Sequence, residues 1–216
     1  MVKAFAILLL SACPLKAECG VALALIIDVS GSVSQGEFEL QMTGTAQALL
    51  EPSVRDALLQ EQAALTLIQW SGASKQEILV PWTVMESQAD LAGFSSQLLQ
   101  ATRVWQHYST AIGSALAFAG DYFSEAPACE RRVIDVSGDG EANEGSDVDV
   151  ESDKLVAQGF VINAIAIEGA EGGLTQYYKR HVIGGPGSFV LTASDYADYP
   201  RAIQRKLINE VVKPAS

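Results

Sequence analysis

Apolar residues along this chain fall into short unbroken runs separated by stretches with helical spacing. The run 21–27 ends abruptly at Asp28 and passes into Val29-Ser30-Gly31-Ser32-Val33-Ser34. It lacks the polar alternation of a half-exposed strand and is short for a membrane span, so it predicts a central strand covered on both faces. Runs at 63–70, 132–137 and 160–167 predict further strands, and 188–191 a short last one. The segment 76–82 follows a spacer short enough for a hairpin and carries Pro81, which predicts an antiparallel edge strand. Helical spacing covers 35–59, with Ser34 as N-cap and a break at Glu51-Pro52-Ser53. Further helices are predicted at 87–100, 111–123, 150–158, 174–182 and 196–212. In the 111–123 helix, Gly113, Ala115, Ala117, Ala119 and Gly120 leave room for close approach to the sheet. Strands alternating with helices predict an α/β fold: a doubly wound, mostly parallel central sheet with one antiparallel edge strand and helices on both faces.

Such sheets bind ligands outside the carboxyl ends of their strands, where strand order reverses. Asp28, Ser30 and Ser32 follow the first strand, Asp139 follows the 132–137 strand, and Thr110 opens the preceding helix. Oxygen-bearing side chains converging on a tight turn suit a hard divalent cation. Taken alone, the Asp28 turn reads equally as a cap for the next helix.

Lys3 and the apolar segment 4–10 predict a secretory signal peptide over residues 1–17, leaving 18–216 as a single domain. Cleavage after Ala17 is preferred to a lipoprotein reading through Cys13, because Pro14 and a short tether follow that cysteine. The expected location is the periplasm or outside the cell. With 14 basic against 26 acidic residues and a net charge of -12, the chain has no basic stripe for nucleic acid or anionic membranes. Cys19 lies nine residues before Asp28, and Cys129 ten before Asp139. Parallel neighbouring strands would set these two cysteines side by side, which predicts a Cys19–Cys129 disulfide.

Asp28-Val29-Ser30-Gly31-Ser32 resembles the D-x-S-x-S element of the von Willebrand factor type A domain. Thr110 and Asp139-Gly140 match that family's two other metal-site elements in order and spacing, and the resemblance covers about 19–212. Gln69-Trp70-Ser71-Gly72, Thr110-Ala111-Ile112-Gly113 and the 132–140 stretch resemble a subgroup of secreted bacterial members. The resemblance implies a metal-ion-dependent adhesion site, with Mg²⁺ (or Mn²⁺ or Ca²⁺) on Ser30, Ser32 and Thr110. Asp28 and Asp139 would act partly through water. A partner protein's carboxylate would complete the shell. One departure stands out: members commonly carry Thr-Asp-Gly or Ser-Asp-Gly, whereas Gly138 here separates Ser137 from Asp139. Asp135, inside an apolar run, needs a buried polar partner, for which a helix N-terminus is the expected source.

Trp105, His107 and Tyr108 read either as a partner-binding rim beside the metal face or, for the aromatics, as core. Only His107 and His181 are present, and neither lies in a nucleophile elbow or an H-E-x-x-H pattern. The acidic loop of Glu141, Glu144, Asp147 and Asp149 lacks EF-hand spacing and reads as solvated. Trp70 and Trp82 read as packing residues. The expected function is a non-enzymatic, cation-dependent protein-binding module. A metal-assisted hydrolase and a structural domain with a vestigial site are the competing readings.

Overall fold

The structure, a computed structural model, describes residues 19–169 and 172–211. The expected signal peptide, with Cys13, lies outside the described residues. Strand β1 (Cys19–Asp28) is apolar up to Ile27 and buried from Gly20 onward. Its alternate residues feed two separate core layers. Leu23, Leu25 and Ile27 join one layer, and Ala22, Ala24 and Ile26 the other. This two-sided burial explains the missing polar alternation.

The sheet continues with β2 (Ala64–Trp70), β3 (Gln76–Val84), β4 (Cys129–Gly138), β5 (Phe160–Ile167) and β6 (Val190–Ala193). Strand order is β3-β2-β1-β4-β5-β6. Only the β2–β3 pair is antiparallel, so the hairpin edge and the doubly wound sheet are as the pattern predicts. The last strand begins two residues later than its apolar run suggests.

Helices α1 (Gln35–Leu50), α2 (Pro52–Gln60) and α3 (Gln88–Gln100) cover one face together with α7 (Tyr199–Val211). Ser34 and Glu37 form a capping box at the start of α1, and Pro52 opens α2 at the predicted break. The other face carries α4 (Ile112–Tyr122), α5 (Val148–Ala157) and α6 (Leu174–Tyr177), which runs on as a wider π turn over Tyr178–Val182. The small residues of α4 divide their work. Ala115 and Ala119 face the sheet core, whereas Gly113 packs against the Ser146 carbonyl and Gly120 against the Leu155 side chain of α5. The glycines therefore admit the neighbouring loop and helix rather than the sheet.

Cys19 and Cys129 stand opposite each other in the β1–β4 register, with Cα atoms 4.5 Å apart, and form the expected disulfide. It closes a separation of 110 residues, for which the chain-entropy account gives about 4–5 kcal/mol. Asp135 finds a partner of another kind than a helix N-terminus. Its Oδ1 lies 2.5 Å from the ammonium of fully buried Lys206, well inside α7. A lysine stem long enough to cross the core reaches it, and nothing local to Asp135 in the sequence marks that partner.

Candidate metal site at the switch point of the sheet

Beyond β1 the sheet continues to β2, and beyond β4 to β5, so chains leaving these two strand ends diverge and open a crevice. Asp28, the last residue of β1, is fully buried there. Its Oδ1 accepts the Ser30 N–H at 2.7 Å, and its Oδ2 has no hydrogen-bond partner. The Ser30 and Ser32 hydroxyls are 3.2 Å apart, and the Ser32 hydroxyl donates to Asp139 Oδ1 at 2.7 Å. A continuous line of oxygens thus crosses from the end of β1 to the residue after β4. Burial, then the neighbouring Asp139 charge, pushes the Asp28 carboxyl up to about 7, against the lowering effect of the Ser30 bonds.

Thr110 arrives from the start of α4. Its N–H donates to Asn143 Oδ1 at 2.9 Å, and its carbonyl accepts the Asn143 N–H at 2.9 Å. A Cβ placed on Gly140 would stand 3.7 Å from Thr110 Oγ1, so this hydroxyl borders the turn that carries Asp139. All five expected residues therefore gather at one crevice.

The β4–β5 register runs unbroken through Ser137↔Ile165 and Gly138↔Ala166, so Gly138 is an ordinary strand residue and displaces nothing. Ser137 turns to the opposite face, with its hydroxyl 3.4 Å from that of Tyr199. A side chain at Gly138 would run into the Tyr178 hydroxyl and come within 3.2 Å of Asp28 Oδ2. The Tyr178 phenol occupies the space a larger residue would take. Burial, with the Asp28 and Asp139 charges behind it, raises its pKa well above the ordinary range.

The rim loop is bolted to the same turn. The Gln69 side chain holds it through the Thr102 carbonyl at 2.8 Å and the Val104 N–H at 3.0 Å. Arg103 donates to the Val29 and Ser30 carbonyls at 3.1 and 2.7 Å. The Gly31 N–H donates to the Tyr108 carbonyl at 2.8 Å, where a Cβ on Gly31 would come within 3.3 Å of that oxygen. His107 adopts φ +67°, a left-handed conformation uncommon outside glycine. Trp105 packs partly into the α1 side of the core, whereas His107 and Tyr108 are exposed, with the Lys75 ammonium 5.0 Å over the Tyr108 ring. Of the three expected rim residues, then, Trp105 anchors and the other two face solvent.

Three of the four acids in the acidic loop are engaged elsewhere. Asp147 caps α5, Asp149 pairs with His181 at 3.0 Å, and Glu144 accepts the Ala73 N–H at 3.4 Å. Among the described residues no three His, Cys, Asp or Glu side chains converge to hold a metal. The crevice differs in kind, with two carboxylates and three hydroxyls, a set of hard oxygen donors suited to Mg²⁺. The orphaned Asp28 Oδ2 next to a second carboxylate fits such an ion. Sequence reading missed Tyr178, Tyr196, Arg103 and Asn143, whose roles depend on where distant elements bring them.

This sheet order and helix layering are the fold of the von Willebrand factor type A domain. The chain belongs to the family described as "Protein of unknown function (DUF1194)", which matches residues 18–215. No curated protein matches. Among solved structures, proximal thread matrix protein 1 from the mussel byssus is 16% identical at TM-score 0.66, over 91% of this chain and 47% of that one. The pilus adhesin SpaC from Lactobacillus rhamnosus GG is 13% identical at TM-score 0.65, over 89% of this chain and 31% of that one. A von Willebrand factor type A protein from Catenulispora acidiphila is 14% identical at TM-score 0.61, over 88% and 42%. The chain spans less than half the length of each of these structures. Another structure of the mussel protein has a zinc occupied MIDAS motif, the metal-ion-dependent adhesion site.

Proposed function

We propose that this chain is an exported, non-enzymatic protein-binding module whose grip depends on a divalent cation, Mg²⁺ in the first instance. The reading rests on one observation: a buried carboxylate oxygen, Asp28 Oδ2, left without a donor beside Asp139 and the Ser30 and Ser32 hydroxyls. A buried charge in that condition is costly unless a cation compensates it. Ser30, Ser32 and Thr110 would hold the ion, with Asp28 and Asp139 supporting it. A site with few direct anions leaves the metal able to accept a carboxylate from a partner protein. His107 and Tyr108 would meet that partner on a loop held stiff by Gln69 and Arg103. The adhesin SpaC and the zinc-holding mussel protein share the fold and lend support to this role. We assign the module to the periplasm or the exterior on the leader-like pattern of residues 1–17; among the described residues no helix is long and apolar enough to cross a membrane.

Two measurements test the reading. Mn²⁺ titration calorimetry should show one site per chain that Asp139→Ala weakens by at least about tenfold, roughly 1.4 kcal/mol. Capture of partner protein from envelope extract in Mg²⁺ should be lost in EDTA. An unchanged Mn²⁺ affinity removes Asp139 from the site, and capture that survives EDTA refutes cation dependence.

A further inference from the structure

Asp135 and the lysine that meets it in the core belong to a four-membered cluster drawn from three elements. Asp135 of β4 and Asn163 of β5 are direct register partners, so their side chains share one face of the sheet, the face that α7 covers. Lys206 and Glu210 stand one turn apart on α7 and reach down onto them. The Lys206 nitrogen is 2.5 Å from Asp135 Oδ1 and 2.5 Å from Glu210 Oε1. All four side chains are sealed from water, none more than 3% exposed. The Asn163 amide is fixed at both ends. Its Oδ1 accepts the Phe189 N–H at 3.1 Å, and its Nδ2 donates to Glu210 Oε1 at 2.9 Å. The Phe189 ring lies 5.6 Å from the Lys206 nitrogen. Arg131 of β4 donates to the Glu210 and Val211 carbonyls at 2.7 and 2.9 Å and holds the end of α7 in place.

These groups are reactants as well as charges. Two carboxyls share one amine in a dry site, and burial disfavours every charged form. When one carboxyl holds a proton, moving another from the ammonium to the second carboxyl leaves an amine, two carboxylic acids and no charge. The Asp135 carboxyl carbon is at most one carbon–oxygen bond beyond the 2.5 Å contact, close to the approach of about 3–3.5 Å from which attack proceeds. A site closed to water also keeps out the reagent that would reverse the step.

We infer that Lys206 and Asp135 condense to an intramolecular amide, with Glu210 as the catalytic acid and base. Glu210 takes a proton from the ammonium, and Lys206 Nζ attacks Cγ of the protonated Asp135 carboxyl to form the carbon–nitrogen bond. Glu210 gives its proton to the departing hydroxyl, the carbon–oxygen bond breaks, and one water leaves. The nitrogen then releases a second proton to Glu210, so the cluster keeps the proton it began with. Asp135 rather than Glu210 supplies the acyl group, because Asn163 engages Glu210 Oε1 and a short side chain on a strand holds the Asp135 carboxyl still. The ionic cluster is the state reached on folding. The amide forms from it slowly, since the ammonium, which has no free electron pair, predominates. The product fastens α7 to the strand that the Cys19–Cys129 disulfide already joins to β1, through a bond that reductants do not cleave. No crevice residue takes part, so this inference is independent of the metal reading.

The test is the intact mass of the denatured chain, with its disulfide counted, from fresh purification through two weeks at 37 °C. A species lighter by one water should accumulate until it exceeds the starting chain, and digestion should yield the Asp135 peptide joined to the Lys206 peptide. Glu210→Gln still accepts from Asn163 and should fold, yet slow the step by about a hundredfold or more. Asp135→Ala leaves Lys206 paired with one acid and should keep its full mass. Incubation in urea should stop the reaction, because it depends on the folded geometry. A wild-type mass that never changes overturns the inference. So does a loss of water that survives in Asp135→Ala, as a cyclic imide at Asp139-Gly140 would give, or a link that runs from Lys206 to Glu210. An undiminished rate in Glu210→Gln overturns its part as acid and base.

Discussion

At the scale of single residues, Asp28 is the point of tension. It sits fully buried, one oxygen satisfied by Ser30 and one by nothing, with Asp139 nearby. In a peptide its carboxyl would ionise near 3.8, whereas burial and Asp139 hold it near 7 in the fold. At pH 8 both states are ionised, so the folded chain bears the cost of that buried charge. Asp28→Asn keeps an oxygen for the Ser30 N–H and removes the charge. It should raise metal-free stability at pH 8 by on the order of 1–3 kcal/mol. The same variant should abolish the rise in melting temperature that Mn²⁺ gives the wild type. A variant that is no more stable than wild type without metal would contradict the tension ascribed to Asp28. These crevice residues were legible in sequence because Asp28, Ser30 and Ser32 alternate over five positions at the end of an apolar run. Tyr178 and Tyr196 were not, since each meets the site only after the chain has crossed the sheet again.

At the scale of elements, the end of β4 and the π turn after α6 are fitted to each other. The buried strands were readable because two-sided burial demands unbroken apolar runs. The π turn was not, because its sequence, Tyr178–Val182, carries the same apolar spacing as an ordinary helix. It delivers the Tyr178 hydroxyl over Gly138, and the hydroxyl also reaches toward the Gly140 carbonyl at 3.5 Å. Gly138→Ala should therefore cost about 1–3 kcal/mol, the usual range for overpacking. Tyr178→Phe, which deletes the obstructing oxygen, should cost less than about 1 kcal/mol, since the bond it loses is long. The double variant should recover much of the Gly138→Ala loss, a coupling that urea unfolding of the four proteins would measure. Additive losses would mean that the crowding lies elsewhere, most directly at Asp28 Oδ2.

At the scale of the whole molecule, one buried ionic cluster fastens α7 to the sheet. Lys206 pairs with Asp135 of β4 and Glu210 of its own helix, each at 2.5 Å, and Asn163 of β5 donates to Glu210 Oε1 at 2.9 Å. Two acids thus share one base in the core, and Glu210 Oε2 has no partner. Burial first, and the Asp135 charge next, push the Glu210 carboxyl from 4.5 up to about 7, while burial raises Asp135 as well. Between those values the folded chain holds a proton that the unfolded chain has released. The cluster therefore favours folding at low pH and loses that contribution as pH rises through about 7. Glu210→Gln keeps an acceptor for Asn163 and Lys206, leaves the Lys206–Asp135 pair neutral overall, and cannot titrate. Its stability relative to wild type should climb from near zero at about pH 5 to on the order of 1–3 kcal/mol at pH 8. Urea unfolding of both proteins at a series of pH values reads this directly. A stability difference that stays flat across the series would show that Glu210 is ionised throughout, and that Lys206 carries both charges unaided.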